Sequence, residues 1–250
     1  MAAKQLAGLI GALSFLGTVA VLTVLVTTIV ILKLLGEDRL SRWSGAVSGW
    51  LFGGRGLTRK LALVAGLLLF LYATALVGVS AASREWALSP GEEKYFCEID
   101  CHLAYSVAGV NKVQTIGAGS TQKTTNGTFL VVSLRTRFDA QTISPNRGDS
   151  PLTPSPRMVT LVDSQGHEYP VSPQAQQSPD ASLAGRSTSL TTPLHPGEFY
   201  ITQLAFDLPP AVSGLKLLVA SPTAPQWLGH ILIGDESSIL HKKVYLRLNR

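Results

Sequence analysis

Apolar and polar positions along this chain follow three different patterns. Residues 5–32 and 61–83 contain no charged side chain, in runs of 28 and 23 residues. About 20 helical residues, at ~1.5 Å rise each, cross the ~30 Å hydrocarbon core of a bilayer. Leu6 to Leu32 and Leu61 to Ala82 are apolar all round, interrupted only by Ser and Thr that can bond back to their own helix. The pattern predicts two transmembrane helices, 6–32 and 61–83, joined by a loop over 33–60. A secretory signal carries a shorter apolar stretch of about 7 to 15 residues before a small-residue cleavage site. Ser80-Ala81-Ala82-Ser83 resembles such a site but follows a run that begins at residue 61, so it reads as the end of an anchor.

From about residue 97 the texture changes to short alternating runs divided by turn residues, which predicts strands. Leu103 to Gln114 is the first, with Gly109 at a bulge or turn. In Phe129 to Phe138, Leu130, Val132 and Leu134 alternate with Val131, Ser133, Arg135 and Arg137, giving one buried and one progressively wetter face. Met158 to Asp163 and His167 to Val171 flank Ser164-Gln165-Gly166 as a hairpin. Phe199 to Leu208 ends at Pro209-Pro210, which has no N–H for a ladder. Leu215 to Val219, Ile231 to Ile233 and Val244 to Leu248 complete the series. The expected architecture is two N-terminal transmembrane helices followed by an all-β, immunoglobulin-like antiparallel sandwich. The divisions are an anchor over 1–83, a linker over 84–96 and the sandwich over 97–250. Thr142 to Arg157 and Ser172 to Pro193, rich in Pro, Ser, Gln and Thr, are expected as long surface loops.

Charge orients this arrangement. Residues 1–83 carry seven Lys/Arg and two acids, whereas residues 84–250 carry fourteen of each, so the whole net charge of +5 belongs to the membrane half. Six of those seven cations lie in 33–60, and short loops rich in Lys and Arg stay in the cytoplasm. Both termini then face outward, which places the chain in the cell (inner) membrane as a multi-pass protein with its C-terminal domain extracytoplasmic. Trp43, Trp50, Leu51 and Phe52 in the loop suit the membrane interface. The neutral outer domain lacks the basic footprint of a nucleic-acid binder. The partners expected are the lipid bilayer and a protein in the periplasm or outside the cell.

Three segments of the outer domain carry a family resemblance. They are Gly127-Thr128-Phe129-Leu130-Val131-Val132, the hairpin Leu161 to Tyr169, and Leu194-His195-Pro196-Gly197-Glu198 followed by Leu204-Ala205-Phe206-Asp207-Leu208-Pro209. Together they resemble immunoglobulin-like domains of unknown function in bacterial lipoproteins and membrane-anchored extracytoplasmic proteins, over roughly residues 100 to 222. The resemblance implies a fold and an extracytoplasmic setting, and it brings no catalytic residues.

Cys97-Glu98-Ile99-Asp100-Cys101-His102 holds both cysteines and the most reactive chemistry of the chain. Three readings compete, beside that of free and inert thiols. A disulfide between Cys97 and Cys101 suits an oxidising compartment but requires a turn, because an extended strand holds residues i and i+4 about 13 Å apart against the ~4.4–6.8 Å that a disulfide needs. Attachment of a c-type haem needs C-x-x-C-H, one residue shorter than the spacing here, with Met158, His167 or His195 as a distant second ligand. A zinc or copper site from Cys97, Cys101 and His102 lacks a fourth ligand at recognisable spacing. The expectation is the disulfide, with no metal and no cofactor. H-E-x-x-H, a phosphate-cradling glycine loop and G-x-S-x-G are absent from the sequence. His167-Glu168 reads as a solvated pair, Arg147-Gly148-Asp149 as a surface coincidence with an adhesion tripeptide, and Asn126-Gly127-Thr128 as a sequon that matters only in a eukaryotic secretory pathway. The functional expectation is a non-enzymatic, membrane-anchored binding or structural module of unknown ligand. The alternative is a redox or metal- or haem-carrying protein using Cys97, Cys101 and His102.

Overall fold

The computed structural model describes residues 15, 17–27, 30, 57–98, 101–117, 122–176, 187–221 and 226–248. Most of the expected cytoplasmic loop, residues 33–56, lies outside them, as do 6–14 of the first apolar run.

The chain divides into two compact units. One comprises Met1–Arg84 and Thr223–Lys242, the other Glu85–Pro222 and Lys243–Arg250. In the first, a helix α1 over Gly17–Thr27 precedes a helix α2 over Leu57–Ala82. Among the described residues only Leu61–Ala82, 22 residues long, is long and apolar enough to cross a membrane, so the expectation of two spanning helices reduces to one candidate span. Most of its large apolar side chains are bare: Leu63, Leu67, Phe70 and Leu71 are all exposed, whereas Leu76 is buried. Thr74 returns its hydroxyl to the Phe70 carbonyl at 2.8 Å, the back-bonding by which a hydroxyl satisfies itself on a helix. A short helix α3, Pro173–Gln176, belongs to the second unit, and α4, Gln226–Ile231, to the first.

Among the described residues, the second unit has nine strands in two sheets. They are β1 (Trp86–Leu88), β2 (Lys94–Cys97), β3 (His102–Ile116), β4 (Lys123–Phe138), β5 (Met158–Val162), β6 (Glu168–Pro170), β7 (Phe199–Leu208), β8 (Lys216–Ala220) and β9 (Val244–Arg247). One sheet has the order β1-β9-β8-β5-β6, the other β2-β3-β4-β7. Every pairing is antiparallel except that of β1 with β9, which is parallel, so the sandwich is not purely antiparallel. β1 and β2 occupy the stretch that the sequence pattern leaves as linker; three and four residues are too few to show a period. Ile231 to Ile233, expected as a strand, instead ends α4 and enters turns. Three consecutive aliphatic residues fit a buried strand and a helix end equally well.

The core lies between the inner faces of the sheets. Leu103, Tyr105 and Val107 from β3 and Leu130, Val132 and Leu134 from β4 meet Leu161, Leu217, Val219 and Leu246 from the opposite sheet. A buried lysine joins the two layers: Lys94 of β2 donates from Nζ to the Val219 carbonyl at 2.7 Å and the Val244 carbonyl at 2.9 Å. A second, smaller cluster sits on the outer face of β3 and β4, where Ile116, Phe129 and Val131 pack with Ala205 and with Ala175 of α3. The start of the polar 172–193 stretch therefore covers apolar surface, and its end follows β7, with the Thr188 N–H donating to the Ile201 carbonyl at 3.0 Å.

Candidate functional site

The Cys97 to His102 segment is the tip of the β2–β3 hairpin. Residues paired across strands share a face, and neighbours along a strand point to opposite faces. Phe96 pairs with Leu103 and faces the core, so the next pair, Cys97 with His102, faces away. Cys101 belongs to the core cluster at 2% exposure, while Cys97 is exposed. The sheet therefore separates the thiols. Both are thiols rather than halves of a disulfide, so the expected bond is not formed. The same alternation parts Cys101 from the Cys97–His102 pair, and among the described residues no three His, Cys, Asp or Glu are grouped to hold a metal ion. Burial, then the neighbouring Glu98 charge, pushes the Cys97 thiol above its ordinary range, which lowers its thiolate fraction. Met158, His167 and His195 lie elsewhere, on β5, in the β5–β6 turn and before β7.

The surrounding residues show what the hairpin does. Glu98 accepts from Arg157 Nη2 at 2.5 Å and from the Ser155 hydroxyl at 2.8 Å. Arg157 also donates to the Ser221 hydroxyl at 2.8 Å and stacks 4.4 Å over the Phe96 ring, which meets Tyr105 edge-on. These contacts clasp the hairpin to the segments flanking β5 and β8, a structural role for the acidic residue between the cysteines. Arg147 of the Arg-Gly-Asp tripeptide turns back onto its own loop, donating to the Pro151 carbonyl at 3.2 Å and lying 5.4 Å from the Phe138 ring centroid. His167 meets Asp163 at 3.0 Å within the β5–β6 turn.

An open cleft of about 690 Å³ lies at the other end of β3. Val110, Leu130, Leu215 and Leu248 supply its apolar lining, with Lys112, Lys216, Arg247 and Glu85 as its charged members. A bulge sets its chemistry. Up to Val107 the odd-numbered residues of β3 face the core, but the register shifts between Val107 and Gly109. One extra residue reverses the inward parity. Val110 and Lys112 then pair with Val132 and Leu130, so Lys112 is carried on the inner-facing side of the strand. Lys216 and Arg247 pair across β8 and β9, beside the core-facing Leu217 and Leu246, and meet the cleft at its lip. Two cations directly opposite repel, and Glu85 offsets this by pairing with Lys216. The sequence shows Gly109 as a break in alternation, but not that the break turns a lysine inward.

Two facing sheets define a β-sandwich module. Residues 100–226 match the family described as a domain of unknown function (DUF4352), and the chain belongs to that family. Two solved structures are similar to it. A conserved hypothetical protein from Bacillus anthracis is 20% identical, with 54% of this chain and 88% of that one covered and a TM-score of 0.34. The secreted protein MPT63 from Mycobacterium tuberculosis is 16% identical, with 58% and 94% covered and a TM-score of 0.38. No curated protein matches the chain.

Proposed function

We propose that this chain is a non-enzymatic, membrane-anchored module whose sandwich stands on the extracytoplasmic side and binds, in the β3–β9 cleft, a ligand with an anionic group on an apolar body. Support for the anchor comes from α2. A helix with bare leucines and Phe70 on all sides is stable against lipid and costly against water. Orientation rests on the cationic 33–60 segment. The observation that carries the binding reading is the cleft itself, where Val110, Leu130 and Leu248 receive an apolar body and Lys112 its charge.

The test uses the full chain in lipid nanodiscs with isotopically labelled methyl groups, titrated with hexyl phosphate, hexanol and inorganic phosphate. Hexyl phosphate should shift the Val110, Leu130 and Leu248 methyl signals at lower concentration than the other two, and Lys112→Glu should abolish that preference. Equal responses to hexanol and hexyl phosphate, or a preference that survives Lys112→Glu, would overturn the reading.

A further inference from the structure

The connection from β8 to β9 does not stay with the sandwich. Thr223–Lys242 belongs to the same compact unit as α2, although the strands on either side of it belong to the other unit. Its contacts run in order along the apolar helix. The Tyr72 hydroxyl donates to the Ile231 carbonyl at 2.6 Å, the Ser80 and Ser238 hydroxyls meet at 2.7 Å in a buried pair, and the Lys242 N–H donates to the Ser83 hydroxyl at 2.7 Å. The segment closes on itself through the Ile239 N–H and the His230 carbonyl at 3.1 Å, and through His230 Nδ1 and the Ser237 carbonyl at 2.9 Å.

We infer that 226–240 is a re-entrant hairpin that enters the outer leaflet beside α2 and seats Ile239 and Leu240 among lipid acyl chains. The inference rests on the anchor reading above. Its first support is depth. Tyr72 lies ten positions before the end of the helix at Ala82, about 15 Å along the axis at ~1.5 Å per residue, which is below the headgroups of any bilayer that Leu61–Ala82 crosses. Whatever bonds to Tyr72 sits below them too. Non-helical backbone is tolerated at that depth only where protein satisfies it: the Tyr72 hydroxyl takes the Ile231 carbonyl, the His230 ring the Ser237 carbonyl and the Ile239 N–H the His230 carbonyl, while the Ser238 hydroxyl is met by that of Ser80.

The second support is the surface that the hairpin presents. Ile239 is 49% and Leu240 62% exposed, next to one another, and Leu240 takes a left-handed backbone with φ 65°. A branched apolar residue held in that conformation and aimed at water is doubly unfavourable, whereas lipid contact supplies a reason for its orientation. Gln226-Trp227-Leu228-Gly229-His230-Ile231-Leu232-Ile233 carries no Lys, Arg, Asp or Glu, and the basic His241-Lys242 follows Leu240 where the hairpin reaches Ser83, the last residue of the charge-free run. That is the order of an inserted segment followed at its C-terminal end by headgroup-binding cations. The acids at the turn, Asp235 and Glu236, are half-buried, and Asp235 accepts the Ser237 N–H at 2.7 Å, turning its carboxylate back on the loop.

The experiment places an environment-sensitive NBD dye on single cysteines of the full chain, in a Cys97→Ser/Cys101→Ser background reconstituted into phosphatidylcholine–phosphatidylglycerol vesicles. The positions are Leu240→Cys in the hairpin, Phe70→Cys on α2 and Gln165→Cys in the β5–β6 turn. Expected is blue-shifted emission at positions 240 and 70, lost to doxyl-labelled lipid and protected from aqueous iodide, with the reverse at 165. A dry position 70 beside a position 240 as iodide-quenched as 165 overturns the hairpin insertion and leaves the anchor standing. An iodide-quenched position 70 overturns the anchor, and the insertion with it. Far-ultraviolet circular dichroism matching the unsubstituted chain is the condition for reading each variant.

Discussion

Asp163 shows how one residue organises a turn. Burial acts to raise its pKa, but the His167 backbone N–H, the His167 ring, the Gln165 N–H and the Tyr169 hydroxyl outweigh it and hold the carboxyl at about 2. Because the folded value lies below the ordinary ~3.9 of the unfolded chain, the ionised form adds stability above that value. The contribution disappears as pH falls through about 2. Thermal melts between pH 2 and 5 should therefore be flatter for Asp163→Asn than for the parent chain. Lys94 works differently, since its ammonium is shared by two carbonyls of the opposite sheet. Lys94→Met keeps most of the apolar stem and strands both acceptors, so it should cost about 2 to 3 kcal/mol in urea unfolding. A chain in which that substitution costs nothing does not use Lys94 as a cross-sheet tie.

At the scale of elements, the β4–β7 pair depends on one missing side chain. A Cβ on Gly127 would stand 1.9 Å from the Leu208 carbonyl oxygen, where the next pair along, Thr128 with Leu208, begins the ladder. Gly127→Ala should cost at least about 2 kcal/mol, because backbone must move to admit it. Gly148→Ala, with φ +63 and nothing within 4 Å, should cost only about 1 kcal/mol of conformational strain. The long strands were legible because their alternation lasts: Phe199–Leu208 is read from sequence with the bounds that it has. Short ones were not. Trp86–Leu88 holds only three residues, and its pairing with Val244–Leu246 reaches across nearly the whole domain, which no local pattern records.

For the whole molecule, composition separated the apolar helix from the β domain, because a long run that is apolar all round and short runs that alternate are different patterns. It did not show that Thr223–Lys242 leaves the sandwich and returns, since the apolar Ile231-Leu232-Ile233 serves either destination. The cleft was hidden for a related reason. Lys112 looks like any surface lysine until the register shift beside Gly109 is known. The cysteines misled in the opposite direction: two thiols four positions apart invite a bond, and only the register places a sheet between them.

The parallel contact of β1 with β9 also has a mechanical meaning. The chain enters β1 at one end of this pair and leaves β9 at the other. Tension between a fixed entry and the C-terminus would slide the two strands lengthwise past one another. The ladder from Trp86 with Val244 to Leu88 with Leu246 would then bear the force across all its bonds at once, in shear, instead of opening pair by pair like a pulled hairpin. A pull along the strands would therefore meet more resistance than one that unzips a hairpin from its end.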